Sequence, residues 1–450
     1  MQDSKNIEIP PGESPLHERL AVAIEQSITV RQILPGERLP THRQIARDCA
    51  VAVGTVTRAI ELLTRRGIVR GETGRGTFVL GAASEASASS APIELAVNGT
   101  PPMIRPEFWA QTVARVAPRL AEISGGYSLP QGGLAHRKAF SAWLQRERLS
   151  LHADAIILTL GTQQGLDLAI EDLAAKGVRA LATEAATYSG ALAAARKHSL
   201  DVVGLPVDKE GLIPDDLDRV LREGHAQAVY VTPVAQNPLG CEMSEARVRA
   251  ILAVAARHKA PVVEDDVYFA YRSSKAPALK EIAPSQVYYA TSLSKSMTPL
   301  LRVGVLAPPA DRLKGLIARH HATVWSVSPF AAAVAAELLT DKFDRTIAKN
   351  LRAEAQARRQ LAIEILGAGK IVTSTAMHIW LPMESSVAER FARRALEHGV
   401  RVTSPSAPIV NPSLASGIRL CLGAPAGREQ LTDALNRLVV LFSAHELQMM

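Results

Sequence analysis

A lysine does covalent work only where its amine is lowered in pKa and held in one orientation. Lys295 stands between two serines in T-S-L-S-K-S-M, residues 291–297, after the strand-like V-Y-Y-A and before T-P-L-L-R-V-G-V-L, which carries Arg302. Placed in that way, an amine can trap an aldehyde. Other residues along the chain could serve the same site. V-V-E-D-D, 262–266, sets acids at the C-terminal end of an apolar strand, where open α/β sheets bind ligands. L-T-L-G-T-Q-Q-G reads as strand, small loop and helix. Gly161 there lets the backbone approach an anion, and the amides of Thr162 and Gln163 open the helix. T-P-V-A-Q-N-P-L-G puts Asn237 in a strand-end turn, and A-T-E-A-A-T-Y-S-G holds Tyr188. Taken singly, each has an ordinary reading: a solvated lysine, an acidic turn, a commonplace βα turn, an Asn-Pro turn, a core tyrosine.

Taken together they meet the needs of pyridoxal phosphate. That cofactor wants a lysine, an acid for its pyridine nitrogen, donors for its phosphate and a flat group over its ring. Asp265 is the expected pyridinium partner, Tyr268 the donor to the ring hydroxyl and Tyr188 the stacking group.

The elements that must position these residues alternate. Strand-like A-I-I-L-T-L, A-Q-A-V-Y-V-T-P and A-P-V-V-E-D-D are interleaved with Ala-rich helical runs. This is the βαβ rhythm of a mostly parallel sheet. Beyond about residue 310 longer helices and short strands such as M-H-I-W-L-P-M predict a smaller α+β part. Upstream, G-A-A-S-E-A-S-A-S-S-A-P, 81–92, has the composition of a flexible linker. The expected division is 1–80, a linker 81–92, and 93–450, with a large part at about 130–320 and a small part from 93–129 and 321–450.

Residues 1–80 have a different pattern. Thr41 can cap a helix carrying Ile45, Ala46 and Cys49. A second helix follows, with Val56, Ile60 and Leu63 on its inner face and Thr55, Thr57 and Arg58 on the other. Two short strands around G-E-T-G-R-G complete a helix-turn-helix with a wing. Between residues 38 and 75 stand Arg38, Arg43, Arg47, Arg58, Arg65, Arg66, Arg70 and Arg75, against only Asp48, Glu61 and Glu72. That basic surface suits the phosphates of double-stranded DNA, with the second helix in the major groove.

Bulk composition agrees with a large soluble chain. Hydrophobic residues make up 47% and charged residues 21%, and the net charge is +7. At 450 residues more than one core is needed. Cys49, Cys241 and Cys421 are far apart and odd in number, which argues against a disulfide framework or a zinc site. The N-terminus lacks the apolar core of a signal peptide and no apolar run would span a bilayer. A cytoplasmic location, no membrane and no metal are expected.

Through P-G-E-R-L-P-T-H-R-Q-I-A, V-G-T-V-T-R-A-I-E-L-L and R-G-T-F-V the N-terminal segment resembles GntR-type winged helices. The order Gly loop, Tyr, Asn-Pro, Asp-x-x-Tyr, Ser-x-x-Lys, Arg and G-I-R-L resembles fold-type I pyridoxal-phosphate enzymes of the aspartate aminotransferase group. Jointly they resemble the MocR subfamily of bacterial transcription regulators. The resemblance implies a winged helix-turn-helix domain joined to an α/β aminotransferase-like domain with a smaller α+β part. It implies Lys295 as the Schiff-base lysine, with Ser292 and Arg302 on the phosphate. Asn237 and Tyr268 would lie at the ring oxygen, and Arg419 on a substrate carboxylate. From G-G-Y-S-L-P-Q-G-G-L-A-H-R-K-A-F it implies that Tyr127 reaches the phosphate of a neighbouring subunit, hence a homodimer. On DNA it implies Arg43, Thr55, Thr57, Arg75 and Gly76. Ala52 and Val53 depart from the polar start usual in the recognition helix, and T-E-A-A-T-Y and N-P-L-G depart from the commoner motifs. The expected function is a DNA-binding regulator that senses an amino acid or amine through aldimine chemistry. A working transaminase with a DNA-binding appendage and a sensor of pyridoxal phosphate itself are the alternatives.

Overall fold

The computed structural model describes residues 9–11, 15–29, 38–65, 68–72, 76–79, 91–119, 127–147, 149–339 and 343–446. The chain divides into two compact units, 1–91 and 92–450.

In the first unit, α1 (Leu16–Thr29), α2 (His42–Asp48) and α3 (Val53–Arg65) precede the hairpin β1 (Val69–Glu72) and β2 (Gly76–Val79). The Thr41 hydroxyl accepts from the Gln44 amide and caps α2. Ala50 has φ of 51° in the turn between α2 and α3. Val56, Ile60 and Leu63 of α3 bury against Leu20 and Ile24 of α1 and Ile45 of α2. The hairpin is antiparallel, Val69 facing Val79 and Glu72 facing Gly76. Arg75, the Arg65 side chain, Arg66, Gly67 and the linker stretch 81–90 lie outside the described residues.

The second unit is built on a seven-stranded sheet. Its spatial order is Ile157–Thr159, Gly304–Ala307, Val287–Ser292, Val262–Asp265, Ala228–Val231, Ala180–Glu184 and Asp201–Leu205. The last five strands are mutually parallel, and Gly304–Ala307 runs antiparallel to both its neighbours. Its register sets Ser292 opposite Gly304 and Gly304 opposite Thr159. The central strands are buried along their whole length, as a sheet covered on both faces requires.

A smaller antiparallel sheet joins Val372–Thr373, His378–Pro382 and Gly417–Cys421. Beside it Val400–Val402 pairs in parallel with Ile93–Leu95. The helices Phe343–Leu366, Ser385–Glu397 and Arg428–Glu446 carry the residues of its core, among them Ala362, Phe391 and Leu435. Phe108 and Trp109 of the helix Pro106–Val116 pack with Phe140, Trp143 and Ala335 in the large part's core. Trp109 also packs against Ala333 and Val334 of the helix Pro329–Leu338. Among the described residues no helix is long and apolar enough to cross a membrane, and no His, Cys, Asp and Glu cluster could hold a metal.

Candidate functional site

Asp265 and Ser292 end two adjacent parallel strands, and Asn237 and Tyr188 follow two others. Their side chains meet at the carboxyl edge of the sheet, the ligand side of such folds. There a cavity of about 260 Å³ is lined by Thr162, Gln163, Tyr188, Asn237, Asp265, Tyr268, Ser292, Lys295, Arg302 and Arg419, together with Ala96, Asn98 and Ser294. Residues separated by more than two hundred positions are thus gathered into one chamber.

Lys295 lies on the short turn Leu293–Ser296, capped by the Ser292 hydroxyl, which accepts from the Ser294 amide at 3.3 Å. Burial lowers its pKa to about 8, and the charges of Arg419 and Arg302 push the same way. Asp265 is buried, and burial raises its pKa to about 7. Its carboxylate accepts from Tyr230 Oη at 2.9 Å and from the Val267 amide at 3.3 Å. The neighbouring acids do other work. Glu264 accepts the amides of Leu279 and Lys280, each at 2.9 Å. Asp266 pairs with Arg272 at 2.8 Å.

Gly161 has φ of 77°, and a Cβ there would lie 3.0 Å from Arg302 Nη2. Gly161 precedes the helix Thr162–Ala175 as its N-cap, so first-turn amides and a guanidinium face one corner. The Gln163 side chain turns aside, donating to the Gly190 carbonyl at 2.9 Å.

Arg419 Nη1 donates to Asn237 Oδ1 at 2.8 Å, and Nη2 to the Ala96 carbonyl at 2.8 Å. Lys295 Nζ donates to the Asn98 carbonyl. Asn98 Nδ2 donates to Tyr268 Oη at 2.7 Å. Sequence reasoning missed Ala96, Asn98, Tyr230 and His378. Buried His378 is held neutral, its pKa pushed down to about 3 chiefly by burial. Tyr127 stands apart from the cavity, 86% exposed, its ring 4.6 Å from that of Trp325.

On the first unit Arg43 and Arg58 are exposed and Thr55 half-buried. Thr57 is less free than expected: its hydroxyl lies 3.1 Å from the Val53 carbonyl and 3.3 Å from His42 Nδ1. Gly76 has φ of 117° and lies against the Arg38 side chain.

The chain belongs to the aminotransferase class I and II family, whose model matches residues 99–438. Residues 16–79 match the model of the bacterial regulatory proteins of the gntR family. An uncharacterized HTH-type transcriptional regulator of Bacillus subtilis (strain 168), YdeF, is 25% identical over 95% of this chain and 94% of its own length. The probable rhizopine catabolism regulatory protein MocR of Rhizobium meliloti is 28% identical over 67% of this chain and 68% of its own. Among solved structures, LysN, the α-aminoadipate aminotransferase of Thermus thermophilus complexed with N-(5'-phosphopyridoxyl)-L-leucine, superposes with a TM-score of 0.71 at 22% identity. The superposition covers 82% of this chain and 96% of LysN, and shows the fold. The two matches make the chain a GntR-type transcription regulator with an aminotransferase-like domain, the MocR arrangement, and DNA binding follows from that class.

The cofactor this family implies is pyridoxal phosphate, and the chamber fits it. Thr162 Oγ1 is buried beside the anion corner with no hydrogen-bond partner. Arg302 makes only long contacts there, 3.4 Å to Ser294 Oγ and 3.4 Å to the Leu160 carbonyl. Asp265 is a buried carboxylate with no ion-pair partner among the described residues, which suits a protonated ring nitrogen.

Proposed function

We propose that this regulator senses an amino acid or amine through its aminotransferase-like chamber and converts occupancy into altered DNA binding. The observation that carries the reading is Lys295. Its lowered amine shares one cavity with Asp265, Arg302 and Arg419, a separate charge for each end of a cofactor and for a carboxylate. When bound, pyridoxal phosphate supplies an aldehyde with which an amine condenses. Lys295 would hold the cofactor until an incoming amine replaces it. Asp265 would keep the ring nitrogen protonated, and Tyr188 would cover the ring face. Asn237 and Tyr268 would hold the ring oxygen. The first amides after Gly161, at Thr162 and Gln163, would join Thr162, Ser292 and Arg302 in holding the phosphate. Arg419, whose planar fork suits a carboxylate, would select amines that carry one.

Tyr127 is far more exposed than a core tyrosine, which supports its use by a second copy in a homodimer. A two-fold dimer also suits DNA reading at two half-sites. There Arg43, Thr55, Arg58, Arg75 and Gly76 would meet DNA, and Thr57 would act through its contact with His42. The effector shifts the regulator only if it favours one of two states.

The test is an absorption spectrum of the full chain with pyridoxal phosphate, before and after borohydride, beside Lys295→Ala. A visible band that borohydride removes and the variant lacks is the expected result. If wild type and variant share one spectrum, the covalent reading fails.

A further inference from the structure

The two cations that an amino acid would use are both held by one stretch of backbone. Arg419 donates to the carbonyl of Ala96 and Lys295 to the carbonyl of Asn98. The Ala96 carbonyl also accepts from Thr403 Oγ1 at 3.2 Å and Cys421 Sγ at 3.3 Å. The Asn98 side chain reaches Tyr268. Its amide nitrogen also lies 3.5 Å from His378 Nδ1. The neutral His378 lies with Nε2 3.1 Å from the Gln236 carbonyl, which makes Nε2 the donor and leaves Nδ1 as an acceptor.

The stretch is shaped from outside the chamber. Glu94 Oε1 accepts the amides of Ala96 at 2.6 Å and Val97 at 3.2 Å. It follows directly on the strand Ile93–Leu95, which begins two residues after the first unit ends at Ala91.

We infer that Ala96–Asn98 is an internal ligand of the chamber, displaced from Arg419 by the carboxylate of an effector and thereby linking occupancy to the strand that leads toward the DNA-binding unit. This rests on the sensing reading above. A carboxylate is a stronger acceptor for a guanidinium than a peptide carbonyl is, and the site is buried enough for the difference to count. Once Arg419 has turned to the effector, the Ala96 carbonyl keeps only a hydroxyl and a thiol as donors. An amine without a carboxylate leaves the Arg419–Ala96 contact in place. The effector class is therefore an amino acid rather than a simple amine.

The experiment is amide hydrogen exchange over residues 93–100 of the full chain, wild type and Glu94→Ala. Two probes are compared: N-(5'-phosphopyridoxyl)-L-alanine and pyridoxamine phosphate, which lacks the carboxylate. Both leave Lys295 uncombined. In the wild type the alanine conjugate raises exchange in this segment by about fivefold over pyridoxamine phosphate, the low end of ordinary coupling. In Glu94→Ala the segment exchanges fast with either probe and the difference disappears, while both probes still bind. Equal exchange in the wild type with both probes bound overturns the internal ligand and leaves the cofactor reading standing. Failure of the alanine conjugate alone to bind the wild type overturns the internal ligand, and failure of both probes overturns the cofactor reading as well.

Discussion

The lowered pKa of Lys295 makes a quantitative prediction about cofactor loading. Imine formation requires the neutral amine. With a pKa of about 8, the neutral fraction rises about fiftyfold from pH 6 to pH 8, then only about twofold from pH 8 to pH 10. An ordinary lysine at about 10.4 would gain little of its neutral form by pH 8 and then rise about seventyfold by pH 10. The initial rate of appearance of the visible band, followed by stopped flow at fixed pyridoxal phosphate, should therefore bend near pH 8. Arg419→Gln removes one positive charge that contributes to the depression, so its bend moves to higher pH. A rate that climbs steeply through pH 9 and 10 in the wild type would refute the argument that burial and the two arginines set the amine.

Gly161→Ala places a side chain at φ of 77° against Arg302. It should cost about 1–3 kcal/mol of stability, seen in denaturant melts, and should weaken phosphate binding in a cofactor titration. Arg58→Ala should lower the slope of log K against log salt for DNA by about one; an unchanged slope would remove Arg58 from the interface. Leu63, fully buried in the first unit, should cost about 2–5 kcal/mol on truncation to alanine, detected as early loss of DNA binding while the cofactor spectrum persists. If the chain also works as a transaminase, keto acid should form from an amino acid over many turnovers per site once a second keto acid is supplied to take up the amino group. No repeated turnover with that acceptor present would support sensing alone.

Much of the chamber was legible because its residues end strands. Asp265, Ser292 and Asn237 sit where an apolar run gives way to polar residues, and the sheet rule says which end binds ligands. The same rule puts three consecutive acids at that end without choosing among them; it says nothing of the amides that Glu264 holds or of the pairing of Asp266, which set Asp265 apart. Ala96 and Asn98 were not legible, because they act largely through backbone carbonyls, which every residue type has. Tyr230 lies in A-V-Y-V, where its hydroxyl is hidden among apolar neighbours, yet that hydroxyl reaches Asp265. Thr57 looks like a solvent-facing hydroxyl on the helical wheel. Its contact with His42 depends on how α2 crosses α3. The partners of the helix Pro106–Val116 were not legible either, because amphipathicity shows that a face is buried and not what buries it.

The antiparallel strand Gly304–Ala307 has a consequence for how the chain tolerates change. Ser292 and Gly304 are paired across one ladder, and Lys295 and Arg302 lie on the excursion between them. Both ends of that excursion are fixed by hydrogen-bond register, in which a shift of one residue turns alternate side chains to the opposite face. Insertions and deletions there cannot be absorbed gradually. Removing one residue must either reverse the facing of the strand or pull the lysine away from the arginine. Length variation among natural or engineered versions of this chain should therefore collect in loops at the other edge of the sheet, and the eleven positions from Leu293 to Val303 should behave as a unit of invariant size.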